Sequence, residues 1–185
     1  MRGRTTRENS LKSQNRSLTG FTLIELMVVV CIVGLLASVG LTSFAKYIKM
    51  AKTVEAHEAL YKLRMGAREY YVVDHWNNQG KLTLRQFPQS IKPTPMGGPC
   101  CNRCVTPSEE WVTAGWNSLL FSLSEGHHYQ YRFLSTGTGF QAVYTAQALG
   151  DLDCDKNLST FEIRGHMDKE GSPVALGPII TNGLE

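Results

Sequence analysis

From Phe21 to Ala45 the chain reads FTLIELMVVVCIVGLLASVGLTSFA, and one residue of this run, Glu25, is charged. A helix needs about 20 apolar residues to cross the hydrocarbon core of a bilayer. The run reaches that length and exceeds the apolar core of a typical secretory signal, so it predicts a membrane-spanning helix. In a chain of 185 residues this leaves room for one further domain. Hydrophobic residues make up 42% and charged residues 19%, which excludes a disordered chain and a bundle of many spans. The charge is uneven. Residues 1–20 hold five bases (Arg2, Arg4, Arg7, Lys12, Arg16) and one acid (Glu8), while the remainder holds fourteen bases and fifteen acids. A basic flank favours a cytoplasmic N-terminus, and Lys46, Lys49 and Lys52 on the far side do not outnumber it. The rest of the chain is therefore expected outside. Its near-neutral balance gives no reason to expect nucleic acid as a partner.

A carboxylate in the bilayer costs roughly 2.5–3.5 kcal/mol on insertion scales, so Glu25 must reach the headgroup layer or meet a cation. It lies in the string Gly20-Phe21-Thr22-Leu23-Ile24-Glu25-Leu26, behind a basic leader and ahead of an uninterrupted apolar run. This string resembles the class III signal sequence of type IV prepilins and type II secretion pseudopilins. The resemblance implies cleavage by a prepilin peptidase between Gly20 and Phe21 and N-methylation of Phe21. It implies that Glu25 pairs with the terminal amine of Phe21 on a neighbouring subunit. It further implies other pilin subunits and an inner-membrane assembly platform as partners. The protein would sit in the bacterial inner membrane before assembly, and in a periplasm-spanning or cell-surface filament afterwards. Many family members carry Pro where this chain has Thr42. Gly40 and its β-branched and hydroxyl neighbours weaken a helix less than Pro does.

Beyond the apolar run, Ala56, Leu60, Leu63, Ala67 and Tyr70 recur at spacings of four and three, which predicts an amphipathic continuation to about Val73. Residues 74–110 are rich in Pro and Gly and read as a loop. From His128 the period becomes two: Tyr129, Tyr131 and Phe133, then Phe140, Ala142, Tyr144 and Ala146, then Phe161 and Ile163. This predicts an antiparallel meander of three or four strands. The expected class is α+β, a pilin fold: a long N-terminal helix, half membrane and half amphipathic, packed on a C-terminal β-meander. The expected divisions are a leader at 1–20, a spanning and filament-core helix at 21–45, an amphipathic helix at 46–73, a cysteine-bearing loop region at 74–127 and a β-meander head at 128–185.

The segment Asp151-Leu152-Asp153-Cys154-Asp155-Lys156-Asn157-Leu158-Ser159-Thr160-Phe161-Glu162 lies between two of these strands. Its oxygen-bearing side chains fall at positions 1, 3, 5, 7, 9 and 12, the spacing of an EF-hand calcium loop. The flanks read as strands, however, and Lys156 stands at position six, where a left-handed backbone would cost about 1–2 kcal/mol. A calcium-binding β-loop with Asp151, Asp153, Asp155, Asn157 and Ser159 as ligands is therefore expected, with Ca2+ in a structural role. An exposed acidic hairpin is the simpler alternative.

Four of the five cysteines lie outside the apolar run: Cys100, Cys101, Cys104 and Cys154. Adjacent cysteines bond each other only with strain, so Cys154 is expected to pair with Cys100 or Cys101, and Cys104 with the one left over. A bridge to Cys154 closes a loop of about 50 residues, to which the chain-entropy model assigns about 4 kcal/mol. A tetracysteine zinc site is the competing use of the same ligands. Ser122 and Ser124 lie close in sequence to His127 and His128, but no nucleophile motif surrounds them. No enzyme activity is expected. The expected function is a structural pilin or minor pilin subunit of a type IV pilus-like filament. The alternatives are a type II secretion pseudopilin and a membrane-anchored calcium- or ligand-binding module that never polymerises.

Overall fold

The computed structural model describes residues 20–101 and 103–184 and divides into two units, Met1–Thr42 and Ser43–Glu185. The proposed leader, apart from Gly20, lies outside the described residues.

Helix α1 runs over Leu23–Val72. Its first turn is closed by a capping box. The Thr22 backbone N–H and hydroxyl donate to Glu25 Oε2 at 3.0 and 2.7 Å, and the Glu25 N–H donates to Thr22 Oγ1 at 3.3 Å. Each group thus satisfies an end the helix would otherwise leave unpaired. Every apolar side chain from Phe21 to Leu41 is exposed, including Leu23, Ile24, Val33 and Leu36. A surface of that kind demands a lipid or protein covering.

The second unit begins at Ser43. Here α1 buries Ala56, Ala59, Leu60, Leu63, Gly66, Ala67 and Tyr71. The buried stripe ends on Tyr71, where the sequence pattern pointed to Tyr70, because four-residue steps from Leu63 through Ala67 lead there. Tyr70 instead stacks on His75, ring centroids 3.9 Å apart.

The sheet has five antiparallel strands in chain order: β1 (Ile91–Thr94), β2 (Tyr129–Thr136), β3 (Val143–Gly150), β4 (Ser159–Met167) and β5 (Pro173–Thr181). The meander of three or four strands expected from alternation thus gains a strand at each edge. Strand β1 lies inside the proline-rich segment, and Pro93 is tolerated because an edge strand leaves one row of N–H groups unpaired. Strand β5 fully buries no residue; only Pro173 and Ala175 are partly covered, so its apolar residues do not alternate between core and solvent along its length. Short helices α2 (Ser108–Trp111) and α3 (Ala114–Ser118) bring Trp111 and Trp116 into the core.

One sheet face carries Tyr129, Tyr131, Phe133, Ala146, Ala148, Phe161 and Ile163, all buried. His57 of α1 meets Phe161 edge-on, and Tyr71 packs on Phe87, which abuts Tyr144. The opposite face carries a polar ladder in register across three strands. Arg132 donates to Gln147, Gln147 donates to Glu162, and Arg164 donates to Glu162. The aromatic alternation of β2 is therefore core.

Candidate cation site and its covalent staple

The β3–β4 turn is fixed by register: Gly150 pairs with Ser159, and residues 151–158 form the loop between them. One carboxylate oxygen each from Asp151, Asp153 and Asp155 lies within 4.8 Å of the others. A group of three carboxylates at that spacing could hold a metal ion. The flanking elements are strands, so the loop is not an EF-hand.

The three acids are held differently. Asp151 is buried; its Oδ2 accepts the Lys156 N–H at 3.1 Å, and its Oδ1 has no partner among the described residues. Asp153 Oδ2 accepts the Lys49 ammonium of α1 at 2.7 Å, and that hydrogen bond is the main reason its carboxyl lies below the usual aspartate range. Asp155 is exposed and accepts the Asn157 backbone N–H and side-chain amide, both at 2.7 Å. Ser159 opens β4, and its hydroxyl is buried. A buried, unsatisfied carboxylate oxygen is costly in a finished structure and is the atom a cation would complete. The donors are all hard oxygens, which suits Ca2+ or Mg2+ better than zinc. Of the five proposed ligands, the three aspartates converge, Asn157 is engaged with Asp155, and Ser159 lies at the buried base of the turn.

Cys101 is bonded to Cys154, and Cys100 to Cys104. The first bond spans 53 residues and fastens the middle of the acidic loop to the segment before α2, with Cα atoms 4.7 Å apart. With all four sulfurs bonded in pairs, no thiolate remains among them for a zinc site. Cys154 and Lys156 both adopt left-handed backbone, φ 68° and 75°. The cost foreseen for Lys156 is therefore incurred, and a second such residue carries the disulfide.

The histidines near Ser122 and Ser124 are engaged elsewhere. His127 is buried, with its ring nitrogens 2.8 Å from Thr106 Oγ1 and from the Tyr129 carbonyl. His128 binds Glu55 of α1: its N–H donates to both carboxylate oxygens at 2.9 and 3.1 Å, and its Nδ1 lies 2.8 Å from Oε2. The Tyr131 hydroxyl donates to Glu55 Oε1 at 3.0 Å. Glu55 therefore clamps the helix to β2. Sequence reasoning passed over Glu55 and Lys49, because both read as solvated charges on the polar side of an amphipathic helix. The capping box was legible as Thr22-x-x-Glu25 ahead of an apolar run.

A long apolar N-terminal helix, with a head in which its amphipathic part packs on a five-stranded antiparallel sheet, is an α+β, pilin-like architecture. Two forms of the type IV major pilin protein PilE1 of Neisseria gonorrhoeae are similar to the chain, each at 42% identity over 62 residues. The aligned stretch is 34% of this chain and 34% and 32% of the two relatives, so the chain matches about a third of their length. These similarities, together with the apolar helix, support assignment to the type IV pilin family. No protein-family model matches the chain, and no solved structure matches it.

Proposed function

We propose that this chain is a structural, non-catalytic subunit, a pilin or minor pilin, of a type IV pilus-like filament. The observation that carries the reading is the similarity to a type IV major pilin, joined to the string Gly20-Phe21-x-x-x-Glu25 at the head of the apolar helix. In this reading a prepilin peptidase cuts after Gly20 and N-methylates Phe21. Residues 21–45 span the inner membrane and then form the filament core, 46–73 underlie the head, and residues 74–127 and 128–185 make the outward-facing surface. An inner-membrane platform assembles the subunits. The loop of Asp151, Asp153 and Asp155, with Asn157 and Ser159, holds a structural Ca2+, completing the unsatisfied Asp151 oxygen. A type II secretion pseudopilin shares every one of these steps and differs in the system served.

One observation favours a second reading, an anchored cation-binding module that never polymerises. Glu25 is hydrogen-bonded by Thr22 within its own first turn, so its carboxylate has a capping role that needs no second subunit. Intact mass of the protein from its native membrane tests the first reading. A chain beginning at N-methylated Phe21, together with loss of filaments in Glu25→Ala, is the expected result. A chain still beginning at Met1 overturns it in favour of the second.

A further inference from the structure

We propose that Lys49 is the built-in counter-ion of the acidic loop and that its ammonium competes with a divalent cation for Asp153. The proposal rests on the cation reading of that loop.

Three carboxylates within 4.8 Å of one another repel unless positive charge sits among them. The described structure supplies one such charge by direct contact, and it comes from 104 residues away: Lys49 Nζ, 2.7 Å from Asp153 Oδ2. Lys49 is half-buried and Asp153 exposed, so the pair sits at the rim of the loop, open to an ion arriving from solvent. One positive charge does not finish the site. Asp151 Oδ1 stays buried without a partner among the described residues, and Asp155 is satisfied by the neutral Asn157. The loop is thus held by a cation too small in charge for the acids around it. A divalent ion entering there meets the Lys49 charge at hydrogen-bond range of one of its ligands.

Two cations that share a carboxylate weaken each other, and the coupling is reciprocal. Lys49 lowers the affinity of the loop for metal, and metal loosens the tie between α1 and the β3–β4 turn. Ligand charge is one of the quantities that set the affinity of a calcium site, together with its rigidity. Lys49 is then the residue that places the affinity of this site and makes its occupancy report on helix-to-head contact.

The test is a calcium titration of the full chain in detergent, with wild type, Lys49→Met and Lys49→Arg. Removing the charge should tighten calcium binding by roughly tenfold, while Lys49→Arg should stay close to wild type. Calcium should also raise the rate at which an amine-acylating ester modifies Lys49 in the unaltered protein, read by peptide mass spectrometry; this arm stands even where Lys49→Met does not fold. Wild type and Lys49→Met binding with equal affinity, or Lys49 acylation indifferent to calcium, overturns the competition and leaves the metal site standing. Binding by Lys49→Met alone overturns native metal loading and supports Lys49 as the resident cation. Binding by neither overturns both.

Discussion

Gly66 of α1 lies directly against the backbone carbonyl of Leu119, with no room for a side chain between them. The helix and the turn after α3 meet backbone to backbone at this point, and glycine inside a helix is the means of that approach. Replacing Gly66 by Ala would favour an isolated helix by about 1 kcal/mol. In the folded head the added methyl must displace main chain, and overpacking of this kind costs about 1–3 kcal/mol. Gly66→Ala should therefore lower the denaturation midpoint of the head despite its higher helix propensity. Chemical denaturation followed by tryptophan fluorescence reads this directly, and an unchanged or raised midpoint would contradict the contact.

Glu55 should be among the more costly positions to truncate. It accepts two donors from His128 and one from Tyr131. Glu55→Ala removes the acceptor and leaves those donors stranded in a partly buried setting, at a cost of about 2–3 kcal/mol. Glu55→Gln keeps one acceptor oxygen and should lose less than half as much. Equal losses in the two variants would show that packing, not the hydrogen bonds, is what Glu55 supplies.

Stability should fall on mild acidification. Burial pushes the His127 imidazole below its usual range, against smaller opposing effects from the Tyr129 carbonyl and the Glu55 carboxylate. The unfolded chain therefore takes up a proton at a higher pH than the folded one, near the ordinary histidine pKa of about 6.5. The contribution of neutral His127 is fully present above that value and is lost as pH drops below it. Melting temperature measured from pH 7.5 to 5 should decline in wild type and decline less in His127→Gln. Parallel curves would remove His127 as the cause.

The two disulfides should differ in worth. In the chain-entropy model a loop of the size closed by Cys101–Cys154 contributes about 4 kcal/mol, and one the size of Cys100–Cys104 about 2 kcal/mol. The paired replacement Cys101→Ser with Cys154→Ser should destabilise the head more than Cys100→Ser with Cys104→Ser. It should also weaken any cation binding, since Cys154 lies between Asp153 and Asp155. The reverse ranking in thermal unfolding would count against the staple.

Much of this protein is a matter of local pattern, and local pattern is readable. An apolar run of membrane length, a basic flank, a four-and-three stripe from Ala56 and a period of two at Tyr129, Tyr131 and Phe133 each bias the chain toward one element regardless of what it packs against. The carboxylate spacing of Asp151, Asp153 and Asp155 was visible for the same reason. Strands β1 and β5 were not, because edge strands gain their definition from a neighbour: Ile91 from Phe133, and Ala175 from Gly165. Nor could the residue sequence choose which of Cys100 and Cys101 reaches Cys154, since the two are adjacent and differ only in where the folded loop points them. Lys49 beside Asp153, Glu55 beneath His128 and Gly66 against Leu119 join positions far apart in the chain, and only the docking of helix on sheet decides them. The sequence sets the elements through short-range sterics and hydropathy. The tertiary structure sets which charges meet, because a charge pair depends on distance in space and not on distance along the chain.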